Sequence, residues 1–252
     1  MEKKRNEEPV LDVKDLSVSF SMYQKGLRKK ELEALRGKEI ALIPQSVDYL
    51  DPLMRVEKQV IGVYGTKEKQ VAAFQRYQLD ESVEKMYPFQ LSGGMARRVL
   101  ISTADLDHVK LIVADEPTPG LNVEMAMETL NNFREMADRG CAVLLITHDI
   151  DLAFHVADRI AVFYAGTVVE VAPVQDFIDG GKDSLRHPYS KAFIDALPQN
   201  DFKPIEGFQP YAGDLPSGCL FADRCPVRSD KCGGEIPMRE VRGGEMRCVH
   251  AT

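Results

Sequence analysis

The chain has 252 residues, 44% of them hydrophobic and 28% charged, which is enough apolar material for one large domain with a small appendage. Its 32 Lys and Arg are outnumbered by 39 Asp and Glu, and the net charge of −7, with no basic run after the first five residues, argues against nucleic acid as a partner. The longest apolar stretches, residues 160–165 and 142–146, fall far short of the roughly 20 residues that cross a bilayer. Any membrane role then comes through a partner, and the charged start, Met1 to Pro9, has no apolar centre and does not read as a secretory leader.

Residues 10–20 (VLDVKDLSVSF) alternate apolar and polar side chains, the period of a half-buried edge strand. A polar, basic stretch over residues 21–38 leads into a short apolar strand at residues 40–43, ended by Pro44. Residues 56–79 carry mixed charge with loose helical spacing (Val60, Tyr64; Val71, Phe74) and read as exposed helices. Two continuous apolar runs, residues 111–114 and 142–146, have the composition of strands buried on both faces, as in a parallel sheet. Between them Val123, Ala126, Met127, Leu130, Phe133 and Ala137 recur at helical spacing up to Gly140, giving strand, helix, strand. A helix with Ile150, Ala153, Phe154 and Ala157 on one face precedes a strand pair over residues 159–172, turned at Ala165-Gly166. Beyond Gly180-Gly181 a helix bearing Tyr189, Ala192, Phe193 and Ala196 leads to a Pro/Gly-rich tail, which puts a boundary near residue 180. The fold class is α/β.

The run at residues 111–114 delivers Asp115 and Glu116 to its carboxyl end, where open α/β sheets place their ligands. Asp115 is suited to hold Mg²⁺ and Glu116 to polarise a water for attack on phosphorus, while acidic residues also end strands simply by meeting solvent. Ser92-Gly93-Gly94 opens a helical stretch, leaving backbone N–H groups free for an anion at the positive end of the helix dipole; the same tripeptide is also a common turn. His148 follows the second apolar run, placed either to donate to a phosphate oxygen or to cap a helix, and Gln45 follows the first strand, where its amide reaches for a metal or water. Four cysteines, Cys219, Cys225, Cys232 and Cys248, crowd the last 34 residues in the pattern C-x₅-C-x₆-C-x₁₅-C. Without an export signal this points to metal ligation rather than disulfides, although unliganded thiols are the plain alternative. Four thiolates complement a [4Fe–4S] cluster or zinc. Cys141, starting an apolar run, reads as a core residue.

In order along the chain, Gln45, Ser92-Gly93-Gly94, Asp115-Glu116 and His148 resemble the Q-loop, signature motif, Walker B with its glutamate, and switch histidine of the ABC ATPase family. The resemblance runs from about Val10 to the C-terminus, and Phe20 falls where that family carries an aromatic that stacks on adenine. The segments His187-Pro188-Tyr189-Ser190-Lys191-Ala192-Phe193 and Gly218-Cys219 to Cys225-Pro226 are similar to the C-terminal extension of the oligopeptide, dipeptide and nickel importers. This implies an ABC-type, P-loop NTPase-like nucleotide-binding domain over residues 1–180, with a helical subdomain at about 52–106, and a metal-binding extension over residues 181–252. It also implies ATP and Mg²⁺ as cofactors, Asp115 and Gln45 toward the metal, Glu116 and His148 as catalytic residues, and a [4Fe–4S] cluster, with zinc as the alternative, on the four cysteines. The implied partners are a second ABC ATPase subunit, two membrane permease subunits and a solute-binding protein. The implied place is cytoplasmic, peripheral on the inner face of the cell membrane.

The departures from the family are as informative. No G-x-x-x-x-G-K-[ST] occurs, so the Walker A loop is lacking, and Gly37 follows Phe20 by only 17 residues. Against the family's strand, loop and crossover helix, about 50 to 70 residues are missing, with the junction expected between Gly26 and Arg36. Asn122 stands where the D-loop usually has aspartate, and Met95 follows the signature where many relatives have glutamine. The expectation is an importer subunit whose own ATP site is defective. The alternatives are a non-catalytic partner subunit or truncated gene product, and a non-transport ABC protein.

Overall fold

Three short apolar runs, far apart in the chain, pair side by side in the computed structural model, which describes residue 37 and residues 39–63, 65–104, 109–179 and 181–251. They are β1 (Ile40–Ile43), β2 (Leu111–Asp115) and β3 (Ala142–Ile146), all parallel and ordered β1-β2-β3. Ile43 pairs with Ala114 and Asp115 with Ile146, so all three strands end at one edge. The edge strand expected over residues 10–20, with Phe20, lies outside the described residues.

Everything described between β1 and β2 is helical or turn: α1 (Val56–Ile61), α2 (Lys67–Arg76), short 3₁₀ turns, and α3 (Gly93–Ser102). Thr66 caps α2 through its side chain, and Val56, Val60, Ala73 and Phe74 are buried in the main core. These helices are therefore exposed on one face only, because their apolar spacing, loose as it is, seats a stripe on the core. The crossover from β2 to β3 is α4 (Val123–Asp138), which buries Ala126, Leu130, Phe133 and Met136. Asn122 is its N-cap, accepting the Met125 N–H at 2.8 Å, a task for which Asn and Asp serve equally. β3 departs from expectation: Leu144 and Ile146 are each 47% exposed, so the strand is not buried on both faces.

After α5 (Ile150–Val156) the chain enters a second compact unit, beginning at Ala157. Here β4 (Arg159–Tyr164) and β5 (Thr167–Pro173) form the expected hairpin, turned by Ala165 and Gly166, both at positive φ. Two positive φ values in a two-residue turn match the right-handed strand twist. The three-residue strands β6 (Arg239–Val241) and β7 (Gly244–Met246) complete a sheet ordered β4-β5-β7-β6. Because β7 pairs with β5, the tail shares a sheet with residues well before 180, and the compact units divide at Val156 and Ala157. Between β5 and the tail lie α6 (Val174–Ile178), α7 (Gly181–Ser184) and α8 (Pro188–Asp195). Tyr164, Tyr189 and Phe221 pack ring on ring, with centroids 4.5 to 5.4 Å apart. A buried charge network locks this unit: Glu170, fully buried, accepts the N–H groups of Arg186 (2.8 Å) and His187 (2.9 Å), and the Arg186 guanidinium bridges to Asp176 at 2.7 Å.

Candidate functional site

Asp115 closes β2, and Glu116, the next residue, leaves the strand at φ 46°, a left-handed conformation that costs a non-glycine residue on the order of 1–3 kcal/mol. The Glu116 N–H donates to the Ile146 carbonyl at 2.9 Å, which holds that turn against the end of β3. Its carboxylate, 15% exposed, then meets the loop after β3. Oε1 accepts the backbone N–H of His148 at 3.1 Å and His148 Nδ1 at 2.7 Å, while Thr147 Oγ1 donates to Oε2 at 3.5 Å. The carboxylate raises the His148 pKa above its ordinary value, first by hydrogen bonding and then by charge. The imidazole is itself 82% exposed, so the pair stands at the surface with one partner free to meet a ligand.

Gln45 is exposed immediately past β1, at the same edge as Asp115. Its carbonyl and that of Pro44 accept the two terminal nitrogens of Arg97, at 2.5 and 3.2 Å. Arg97 is a buried residue on α3, so one guanidinium fastens the signature helix to the loop carrying Gln45. Nothing in the local sequence marks it: the partners are more than 50 residues apart in the chain, and an Arg inside a helix ordinarily faces solvent.

Ser92 is the N-cap of α3, its Oγ accepting the Met95 N–H at 3.3 Å. Ser92 and Gly93 are exposed, and a Cβ added at Gly93 would meet nothing within 4 Å. The helix therefore presents an open amino end suited to an anion. Among the described residues Ser92 has no hydrogen bond to Asp115, Glu116 or His148. The structure thus assembles Glu116 with His148, sets Asp115 and Gln45 at the ends of neighbouring strands, and leaves the Ser-Gly-Gly turn facing outward.

The cysteines behave differently from the expectation. None of the five is in a disulfide, and Cys141 is half-buried, packed against the main core. Cys248 Sγ accepts the His250 N–H at 3.4 Å. Cys232 Sγ lies 3.5 Å from His250 Nε2. Burial raises the pKa of Cys219 and Cys225, and the neighbouring thiols raise both further. Among the described residues, however, no group of three or more His, Cys, Asp or Glu side chains converges on a position for one metal ion. The four-thiolate centre read from the spacing is thus not assembled among the described residues.

His187 is buried, caps α8 by accepting the Tyr189 N–H at 3.0 Å, and has its pKa lowered to about 4, chiefly by burial. It borders a cleft of about 470 Å³ with Val169, Cys219, Phe221 and Arg247, which none of Gln45, Ser92, Asp115, Glu116 or His148 lines.

Two families match the chain: the ABC transporter family over residues 17–119, and the oligopeptide/dipeptide transporter C-terminal region over residues 169–232. The chain is similar to the oligopeptide transport ATP-binding protein AppD of Bacillus subtilis, with 34% identity covering 85% of this chain and 70% of that protein. It is also similar to the probable D,D-dipeptide transport ATP-binding protein DdpD of Escherichia coli, at 32% identity, 88% of this chain and 72% of the other. The oligopeptide transport ATP-binding protein OppD of Salmonella typhimurium matches at 31% identity, 88% and 70%. Among solved structures, a dimeric bacterial ABC transporter cassette, MJ0796, superposes with a TM-score of 0.53 at 26% identity, covering 59% of this chain and 68% of that one.

Proposed function

The chain belongs to the ABC transporter family, among the oligopeptide and dipeptide transport ATP-binding proteins, and from that we propose that it energises a peptide importer by completing a nucleotide site on a second cassette. The observation that carries this reading is the open, capped amino end of α3, with Ser92 and Gly93 exposed, in a sequence that holds no G-x-x-x-x-G-K-[ST] string. In this reading Ser92-Gly93-Gly94 meets the terminal phosphate of ATP gripped by the partner's own loop, where N–H groups and helix dipole favour negative charge. On this chain's side Asp115 and Gln45 would hold Mg²⁺, Glu116 would orient the attacking water, and His148 would donate to the phosphate. Phe20 would stack on adenine.

Two permease subunits and a solute-binding protein complete the proposed importer, which places the chain on the inner face of the membrane. No helix among the described residues is long and apolar enough to cross a bilayer. Exposed apolar side chains close to the Gln45 loop support a protein contact: Tyr49, Leu53 and Met54, with Phe89 stacked on Tyr87 and Arg55 over the Tyr87 ring. The relatives are oligopeptide and dipeptide transport proteins, which favours peptide over nickel as cargo.

The test is an ordering of variants beside an intact partner cassette. Ser92→Ala or Gly93→Asp is expected to lower ATP hydrolysis at least about tenfold, and Glu116→Gln by less, since losing a donor to the developing charge costs a few kcal/mol. Abolished turnover in Glu116→Gln with near-normal signature variants would reverse the assignment.

For the tail we propose one metal centre on Cys219, Cys225, Cys232 and Cys248, [4Fe–4S] ahead of zinc. Cys219 and Cys225 lie close enough to the other tail thiols for these to raise their pKa, and closing the set requires the thiols to turn toward one point and give up their protons to the metal. Protein purified without oxygen is expected to carry about four irons per chain and to lose them in Cys225→Ser. Stoichiometric zinc would replace iron in this reading, and metal-free protein would remove the centre altogether.

A further inference from the structure

The cleft beside His187 belongs wholly to the second compact unit, and separate stretches of chain build its walls. β5 gives Val169, residues 217–221 give Phe221, residues 233–236 give Glu235 and Ile236, and Arg247 directly follows β7. Long-range hydrogen bonds fix these stretches to one another. The Arg247 N–H donates to the Val169 carbonyl at 2.9 Å, and the Cys219 N–H to the Cys232 carbonyl at 2.9 Å. Gly218 stands at φ 84°, and a Cβ there would come within 2.3 Å of the Cys232 carbonyl oxygen, so only glycine lets these two stretches meet. Phe221, 1% exposed, is held edge-on by the Tyr164 and Tyr189 rings. The cleft is thus pre-formed, and its volume of about 470 Å³ falls within the roughly 300–1,000 Å³ typical of small-molecule pockets.

Its charges are unmatched. Arg247 is half-buried: Nη1 donates to the Ile236 carbonyl at 3.3 Å, Nε is buried without a hydrogen-bond partner, and Nη2 has none among the described residues. No carboxylate pairs with it among those residues either, and a cation partly removed from water without a counter-charge is costly. Burial lowers the His187 pKa to about 4, so that ring is neutral near pH 7 and adds no second cation. Glu235, exposed, is the acidic residue of the lining.

We propose that the cleft binds a small monocarboxylate with an apolar body, its carboxylate on the Arg247 guanidinium and its body against Val169, Phe221 and Ile236. A planar carboxylate matches the guanidinium fork and supplies the missing counter-charge. A phosphate or dicarboxylate would bring a second negative charge toward Glu235 with no second cation to meet it. Cys225, Cys232 and Cys248 do not line the cleft, and the proposal depends neither on the transport role nor on the metal centre.

Titration of the methyl-labelled full chain with phenylacetate, followed by NMR, tests it. The probe is expected to shift the Val169 and Ile236 methyl signals with a Kd of about a millimolar or tighter, and to leave those of Val60 and Leu130 in the first unit unmoved. Phenylacetamide, which keeps the ring and loses the charge, is expected to bind at least about tenfold more weakly. Arg247→Gln is expected to weaken phenylacetate by a similar factor, and Arg247→Lys to recover part of the loss. If Arg247→Gln unfolds the chain, seen as collapsed methyl dispersion, the comparison of acid with amide on the unaltered chain decides. Equal binding of acid and amide, shifts that spread to Val60 and Leu130, or no shift at all would each overturn the proposal.

Discussion

Glu116 accepts three hydrogen bonds from the Thr147-His148 loop while its own backbone is held at positive φ, so this carboxylate is positioned before any ligand arrives. It pairs with His148, whose pKa is raised by that contact. A raised histidine pKa means the ion pair is fully present below the unfolded value of 6.5 and is lost as pH rises through the folded value. The His148 ring titrated by NMR is expected to show a pKa above 6.5, returning toward 6.5 in Glu116→Gln; an identical value in both proteins would dissolve the pairing. Asp115, Glu116 and His148 were legible in the sequence because each follows a strongly apolar run, and a strand end fixes where the next residue sits. Arg97 was not, since its role depends on the loop carrying Gln45 folding back over α3.

At the level of elements, β1, β2, β3, α4 and the β4–β5 hairpin could be read from apolar runs and spacing, because their patterns are local and long enough to repeat. β6 and β7 could not: three residues hold too little alternation to register, and their pairing with β5 is settled by long-range contact. The same contact explains why a compositional boundary near 180 differs from the division at Ala157. The buried Glu170–Arg186–Asp176 network ties β5 to α6 and to the end of β6, whose Val241 carbonyl accepts Arg186 Nε at 2.7 Å. Arg186→Ala would strand Glu170 without its cation in a fully buried place, and breaking such a pair costs about 3–5 kcal/mol. Urea unfolding followed by tyrosine circular dichroism is expected to show that loss; a change under about 1 kcal/mol would mean the pair is dispensable.

Across the whole molecule, the chain matches the ABC transporter family over residues 17–119, while its sequence contains no G-x-x-x-x-G-K-[ST]. Such a loop holds phosphates through several backbone N–H groups and a lysine, each charge-assisted bond being worth roughly 1.5–3 kcal/mol. In the proposed reading Asp115, Glu116 and His148 are left without that cradle, and Ser92-Gly93-Gly94 would serve a nucleotide held by a second cassette. The direct measurement is calorimetric titration of MgATP into the isolated chain. The account predicts binding no tighter than about millimolar, a free energy of roughly −4 kcal/mol, and micromolar affinity would contradict it by requiring a phosphate cradle within this chain.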